Sequence, residues 1–441
     1  MTTEAIRIRG GRIIDPYRGL DHAGEDILIV DGRFATGTEA GKRPVRIIDA
    51  QGLWVVPRIV DMHVHLREPG QTHKETIESG SRAAARGGVA VVGAMPNTTP
   101  VMDTPELVQW VQWKGDAIGL TRVWPIGAVS RDSASEELAD LYRMQEAGAV
   151  AFSDDGRPVG SSRLMRAALS YSATLRTPII NHAQDPSLSA GAVVNEGPIG
   201  GKMGLAGMPE AAESVMVWRD VLLAGLTGGR LHVAHVTAPE SLEALSYARS
   251  HHFLVSAEAT PHHLLLSEDA LQEWGYDPVT KVNPPLRTVS SRRALILAMT
   301  QGLVEVVASD HAPHHADEKA RPYGDAPFGI SGLETLVAGV ITALVQPGHM
   351  TPLQAMALLT RGPHQALNQP YAGISPGEVA DVTLIDPQKS WVVDPARFYS
   401  QGKNTPFAGH TLVGDAVYTI VGGQIVMEEG EVLHAGLSNL R

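Results

Sequence analysis

The 441-residue chain contains no cysteine. Disulfides, thiolate metal sites and cysteine nucleophiles are thereby excluded, and any bound metal must be held by histidine and carboxylates. Positive charge is also scarce: 36 Lys and Arg stand against 48 Asp and Glu, a net charge of -12. With no basic stretch to neutralise phosphates, nucleic acid is not expected as a partner. A small anionic substrate, which needs only a few local cations, is still compatible. No uninterrupted apolar run approaches the ~20 residues of a membrane span. The opening residues, Met1 to Arg7, lack a basic region followed by an apolar core, so no signal peptide is expected. These absences together predict a soluble, cytoplasmic protein with no membrane partner.

What is present suits a loop-rich α/β enzyme: 43% hydrophobic residues with 45 Gly and 29 Pro. The length accommodates a barrel of ~250 residues plus a smaller unit. Near the N-terminus, Ile6-Arg7-Ile8-Arg9 and Ile27-Leu28-Ile29-Val30 read as short strands punctuated by Gly10-Gly11 and Asp31-Gly32. From about Gly373 the same texture returns in 379–385, 416–421 and 424–427, with Gly422-Gly423 as a tight turn. Two β-rich ends predict one small β-sandwich assembled from 1–55 and 369–441. The middle, 56–368, alternates apolar strands with helical stretches such as 76–86, 162–175 and 209–224. Eight strand candidates (54–65, 89–97, 122–129, 149–155, 178–182, 230–235, 253–262 and 304–311) predict an α/β fold with a TIM-like (β/α)8 barrel. Its functional residues should gather at the C-terminal strand ends.

His63-Val64-His65 closes the first of these runs. Residues i and i+2 of a strand share a face, so two imidazoles converge where they can grip one cation. Taken alone, such a pair reads equally well as hydrogen-bonded core histidines. Other strand ends change the balance: Asp154-Asp155 on the fourth, His182 on the fifth, His235 on the sixth and Asp310 on the eighth. A cluster of this kind on one barrel face is a metal site, with zinc the default and manganese, iron or cobalt compatible. Four imidazoles and two carboxylates exceed the three protein ligands of one open catalytic zinc. Two metals sharing a bridging carboxylate fit better, and such sites acidify water and polarise carbonyls, the chemistry of amide hydrolysis.

The run from Asp61 to Gly70, Asp-Met-His-Val-His-Leu-Arg-Glu-Pro-Gly, resembles a signature of the dihydroorotases of the amidohydrolase superfamily. Ala308-Ser309-Asp310-His311-Ala312-Pro313-His314 resembles a second. Ala94-Met95-Pro96-Asn97-Thr98, Phe152-Ser153-Asp154-Asp155-Gly156, Glu258-Ala259-Thr260-Pro261-His262-His263-Leu264, Val282-Asn283-Pro284-Pro285-Leu286-Arg287 and Lys403-Asn404-Thr405-Pro406-Phe407 follow in family order. Essentially the whole chain is covered, in the pattern of the class I, bacterial-type enzymes.

The resemblance implies that His63, His65 and Asp310 hold one Zn2+ and His182 and His235 a second, bridged by Asp155 rather than Asp154. Occupancy of the second site is left open. Asp310 would also shuttle the proton. Arg67, Asn97 and His314, beside His65, would anchor a substrate carboxylate, and Asn283, Phe328 and Gly329 would contact the ring or its open form. A guanidinium is the natural bidentate partner of a carboxylate, although Arg67 could instead pair with Glu68. The implied activity is the reversible zinc-dependent cyclisation of N-carbamoyl-L-aspartate to L-dihydroorotate in pyrimidine biosynthesis. A homodimer is expected, and association with an aspartate transcarbamoylase is compatible with the family.

Two alternatives stand beside this one. A hydantoinase or allantoinase would share the fold, but many of those bridge their metals with a carboxylated lysine on strand four, and 147–155 contains none. A catalytically dead scaffold for aspartate transcarbamoylase would lose metal ligands, whereas all six positions are kept. The chain departs from the family pattern at Arg58, where glycine is common, and at Gln184, where a carboxylate is common. His73, His262 and His263 are expected in exposed or supporting positions, and His232, three residues before His235, on the opposite strand face. The stretch 317–328 is a candidate mobile lid.

Overall fold

The computed structural model describes residues 5–37 and 44–433. Its centre is an eight-stranded parallel barrel in sequential order. The strands are β1 (Val60–Val64), β2 (Val91–Ala94), β3 (Arg122–Gly127), β4 (Ala151–Ser153), β5 (Ile179–Asn181), β6 (Leu231–Val233), β7 (Val255–Ala259) and β8 (Val306–Val307). Between β8 and β1 the ring is bridged beyond the strand end, by a parallel contact of Val64 with His311 and by the His65 amide donating to the His311 carbonyl at 2.8 Å.

Every barrel strand is shorter than the apolar run that predicts it, and at the mouth ends of β6 and β8 the cause is local. Arg67, His235 and Asp310 have φ of 60°, 31° and 47°, left-handed values that no strand ladder accommodates. At these three residues the chain leaves β geometry, so their side chains stand on bent loop starts at the barrel mouth. The run 54–65 is in fact two strands. Trp54–Pro57 pairs antiparallel with Val382–Val392 and parallel with Arg12–Asp15, and β1 resumes at Val60. Pro57 has no N–H to continue a ladder, and at Arg58 the chain changes sheets.

Trp54–Pro57 belongs to a seven-stranded sheet built from both chain ends, which also contains Thr411–Val421 and Gln424–Glu428. A four-stranded sheet holding Ala5–Arg9 and Ile27–Val30 faces it. Ile6, Ile8, Ile29, Phe34, Val55, Leu384 and Ile420 form the core between them. Gly422 and Gly423, both at positive φ, make the tight turn. This sandwich is fastened to the barrel by polar ties. Arg58 is buried against Asp381 at 2.7 Å and stacks 3.9 Å over Tyr371, while Arg122 reaches the same carboxylate at 3.1 Å. The departure at Arg58 is thus a contact between the barrel foot and the C-terminal sheet.

The barrel helices follow from their ends. Thr76 caps Ile77–Arg86 reciprocally with Ser79, and Ser161 caps Ser162–Leu175. Their apolar faces, Ile77, Ala83 and Ala84 on the first and Leu164, Met165 and Leu169 on the second, are fully or almost fully buried against the strands. Phe152 on β4 is fully buried, and burial of such a side chain contributes about 2–3 kcal/mol. No helix among the described residues is long and apolar enough to cross a membrane.

Candidate active site

At the C-terminal mouth of the barrel, Asp155 stands among four imidazoles and divides them between its two oxygens. Its Oδ2 lies 3.4 Å from His63 Nε2 and 3.4 Å from His65 Nε2. Its Oδ1 lies 3.4 Å from His182 Nδ1 and 3.6 Å from His235 Nε2. Asp310 Oδ1 completes the first group at 3.5 Å from His63 and 3.3 Å from His65. Two ligand atoms each at zinc-ligand distance from one tetrahedral ion stand about 3.3 Å apart. The separations therefore match two ion positions that share Asp155, formed by His63, His65 and Asp155 and by Asp155, His182 and His235. His63 Nε2 and Asp155 Oδ1 are buried without a hydrogen-bond partner among the described residues. Buried polar atoms are rarely left so unless something else satisfies them.

The neighbouring Asp154 points away. Its carboxylate accepts the amides of Val129 and Ser130 at 2.9 and 3.0 Å and the Ser130 hydroxyl at 2.5 Å. Three of the four imidazoles are held from behind. His63 donates through Nδ1 to Glu258 (2.5 Å), His65 through Nδ1 to Asn97 Oδ1 (2.7 Å), and His182 through Nε2 to Gln184 Oε1 (2.7 Å). Each such bond fixes which nitrogen faces the site. Burial alone would raise the pKa of Asp155 and of Asp310, but His63 and the other imidazoles outweigh it and hold both carboxyls below their ordinary range. Burial likewise opposes the charged form of His63, yet Asp155, Glu258 and Asp310 push its pKa up. The two carboxylates stand ionised, the form in which they ligate.

Above this cluster lies a cavity of about 330 Å³, lined by His65, Arg67, Asn97, Asn283, Asp310, His314, Phe328 and Gly329 among others. Arg67 is buried; desolvation pushes its pKa down to about 10, so it still carries its charge at neutral pH. Its Nε donates to the Pro313 carbonyl at 3.3 Å and its Nη2 lies 3.4 Å from His314 Nε2. Glu68 is not its partner, being paired with Lys114 and capping the amide of Ile77. Asn283 donates to Gln184 at 2.7 Å, so the amide at position 184 links a residue of the cavity wall to the His182 imidazole. The stretch 317–328 packs beside the cavity and is fastened there. Lys281 donates to the Tyr323 and Gly324 carbonyls, and Lys319 to that of Pro327. Burial beside Lys281 pushes Lys319 down to about 7.

Several supporting residues escape a sequence reading. Glu258 is fully buried in the barrel interior, bonded to His63, to His232 Nε2 at 3.1 Å and to the His235 amide at 3.4 Å. The signal was available: Ser256 and Glu258 alternate with Ala257 and Ala259, one polar row of period two in a buried strand. His232 consequently faces the interior and not the opposite side; β6 ends at Val233, and the turn at His235 breaks the alternation. His262 and His263 are buried on a short helix, Pro261–Leu265, and are not exposed. His263 is spanned between Thr260 Oγ1 and the Pro284 carbonyl. His73 is exposed.

A dihydro-orotase-like family pattern matches residues 52–241. The chain is 47% identical to a dihydroorotase of Pelotomaculum thermopropionicum, over 96% of this chain and 99% of that one. It is 45% identical to a dihydroorotase of Anaeromyxobacter sp. strain K, over 97% and 99%. Among solved structures, the L-hydantoinase (dihydropyrimidinase) of Arthrobacter aurescens superposes with a TM-score of 0.86 at 26% identity, covering 98% of each chain. The D-hydantoinase of a Thermus species, at 22% identity and a TM-score of 0.82 over 98% and 97%, shares the fold. With relatives of this identity over nearly the full length, and with two buried His/Asp clusters sharing one carboxylate, the chain belongs to the dihydroorotase family of the amidohydrolase superfamily.

Proposed function

We propose that the protein interconverts N-carbamoyl-L-aspartate and L-dihydroorotate with two zinc ions. The observation that carries this reading is Asp155, whose two oxygens face separate histidine pairs beneath a cavity walled by a buried arginine. His63, His65 and Asp310 would hold one ion and His182 and His235 the other, with Asp155 between them; the all-nitrogen-and-oxygen donor set suits zinc. When bound, such a pair supplies acidified water and polarises the scissile carbonyl.

The chain's own residues do the rest. Arg67 presents its guanidinium to the substrate carboxylate, a bidentate geometry lysine lacks. Asn97 keeps its amide nitrogen for the same carboxylate while its oxygen holds His65. His314 stands beside Arg67 with Nε2 donating to the Phe328 carbonyl at 2.8 Å, and completes that wall. Asn283, Phe328 and Gly329 face the ring. Asp310, ionised and with Oδ1 toward the imidazoles, moves the proton. In hydrolysis it takes a proton from the attacking water and delivers it to the ring nitrogen as the carbon–nitrogen bond breaks. In cyclisation it takes the proton of the ureido nitrogen as that nitrogen closes on the carboxyl carbon, and passes it to the departing oxygen, which leaves as water with a second proton taken up from solvent.

The same reading includes a homodimer and a cytoplasmic location, with aspartate transcarbamoylase as a candidate partner. Val215, Leu222 and Leu226 support the dimer. They lie along one side of the helix Ala211–Thr227 and are 50%, 53% and 67% exposed, an apolar stripe of the kind that interfaces cover. Turnover of L-dihydroorotate compared with hydantoin and allantoin tests the activity. Preference for either of the latter two would refute it. Arg67→Ala should raise KM for L-dihydroorotate far more than it lowers kcat, and an unchanged KM would remove Arg67 from the anchor.

A further inference from the structure

The Lys403-Asn404-Thr405-Pro406-Phe407 motif lies in the chain's C-terminal part, far in sequence from every residue of the site, yet it bonds to two residues that line the cavity. Phe407 is buried with Val393, Phe398 and Leu412, which anchors one end of the segment. At the other end the Ser400 hydroxyl donates to Glu75 at 2.5 Å, and the Ser400 amide to Glu334 at 3.1 Å. Between these anchors Gly402 runs so close to the barrel that a Cβ on it would lie 2.5 Å from Pro313 Cβ. Its carbonyl accepts the Ser331 hydroxyl at 2.8 Å.

Asn404 occupies the middle of this strap with its side chain buried. Its Oδ1 accepts the backbone N–H of His314 at 3.2 Å, and its Nδ2 donates to the carbonyl of Gly329 at 2.9 Å. His314 in turn donates from its ring to the Phe328 carbonyl at 2.8 Å. One amide therefore closes a ring of hydrogen bonds joining the two walls of the cavity, the Pro313–His314 side that carries Arg67 and the Phe328–Gly329 side. Only a side chain with a donor and an acceptor at a fixed separation spans both. Neither atom bonds to a residue of the metal-ligating cluster.

We propose that Asn404 is a positioning residue that sets the distance between the carboxylate-anchoring wall and the ring-contacting wall, and so governs how tightly the carboxylate-bearing substrate is held. This rests on reading the cavity as the L-dihydroorotate site. Asn404 touches no reacting atom, and its removal loosens ground-state binding with a much smaller effect on the chemical step.

The test uses the full-length protein as wild type, Asn404→Ala and the milder Asn404→Ser, with thermal melting followed for each. KM and kcat are measured with L-dihydroorotate on metal-loaded protein. The Kd of L-dihydroorotate is measured by calorimetry on metal-stripped protein, where no turnover intervenes. The expected result for Asn404→Ala is a rise of about tenfold or more in both KM and Kd with kcat within about threefold, and a smaller rise of the same kind for Asn404→Ser. If Asn404→Ala does not fold, the serine variant carries the test. Unchanged KM and Kd would overturn the proposal, as would a fall in kcat and melting temperature with KM unmoved, the signature of a merely structural residue. A wild-type protein that neither binds nor turns over L-dihydroorotate would instead overturn the functional reading, and this inference with it.

Discussion

Glu258 touches no part of the substrate cavity, yet its replacement should be felt at the metal site. One oxygen takes the Nδ1–H of His63 at 2.5 Å and the other takes His232 Nε2 at 3.1 Å, in a place with no solvent exposure. Burial would raise the pKa of this carboxyl, but His63 and His232 overcome it and bring it down to about 2. An anionic acceptor behind His63 makes the facing nitrogen more basic. In Glu258→Gln the amide oxygen can still accept from His63. The amide nitrogen meets His232, which can invert its tautomer because Ser256 Oγ lies 2.7 Å from its Nδ1. Packing and hydrogen-bond count are then kept, and only the charge is lost. Loss of such a supporting carboxylate weakens metal binding by about 10–100-fold, or about 1.4–2.7 kcal/mol. Glu258→Ala should do something else. It strands two buried imidazole N–H groups at about 1–3 kcal/mol each, so the fold itself loses about 2–6 kcal/mol. Zinc affinity from competition with a chromogenic chelator, alongside urea unfolding of the metal-free proteins, separates the two effects. A Glu258→Gln protein that binds zinc within twofold of wild type would show that the charge of Glu258 does not support the metal site.

Asp310→Asn should retain metal through dialysis while kcat falls by about 10²–10⁴; elemental analysis and steady-state rates check this, and loss of metal would show a purely ligating role. Arg58→Ala removes one partner of a buried pair but leaves Arg122 at 3.1 Å from Asp381, so about 3 kcal/mol of stability should disappear in a urea titration, the low end for such pairs. Glu334 is buried beneath the amides of Tyr399 and Ser400, and desolvation pushes its pKa up from 4.5 to about 8. Its folded form holds the proton more tightly than the unfolded chain, so its contribution is complete below the unfolded value and lost as pH rises through about 8. Glu334→Gln should flatten the decline in melting temperature between about pH 5 and 8, and an unchanged slope would contradict the assignment.

The order of the barrel strands was legible because apolar runs repeat eight times and five of them carry the clustered His and Asp residues at their ends, a long-range regularity that local ambiguity does not erase. The ends of β6 and β8 were not, because left-handed backbone at His235 and Asp310 cannot be read from residue type at non-glycine positions. The same blindness placed His232 on the wrong face, since period-two reasoning fails where a strand ends between the two residues compared. Glu258 was visible in a family motif, but its function as a brace depends on His63, 195 positions away. Asn404 is the extreme case: nothing near it in sequence points to His314 or Gly329. Contacts of this kind come from the way the C-terminal segment crosses the barrel mouth, which only the fold reveals.

The proposed chemistry requires Asp155 to sit between two divalent ions. A crystal of the zinc-loaded protein, with anomalous-difference maps recorded on both sides of the zinc absorption edge, tests it most directly. Two peaks about 3.5–4 Å apart are expected, one beside His63 and His65 and the other beside His182 and His235, with an Asp155 oxygen on each. A single peak, or a pair of peaks that leaves Asp155 uncoordinated, would contradict it.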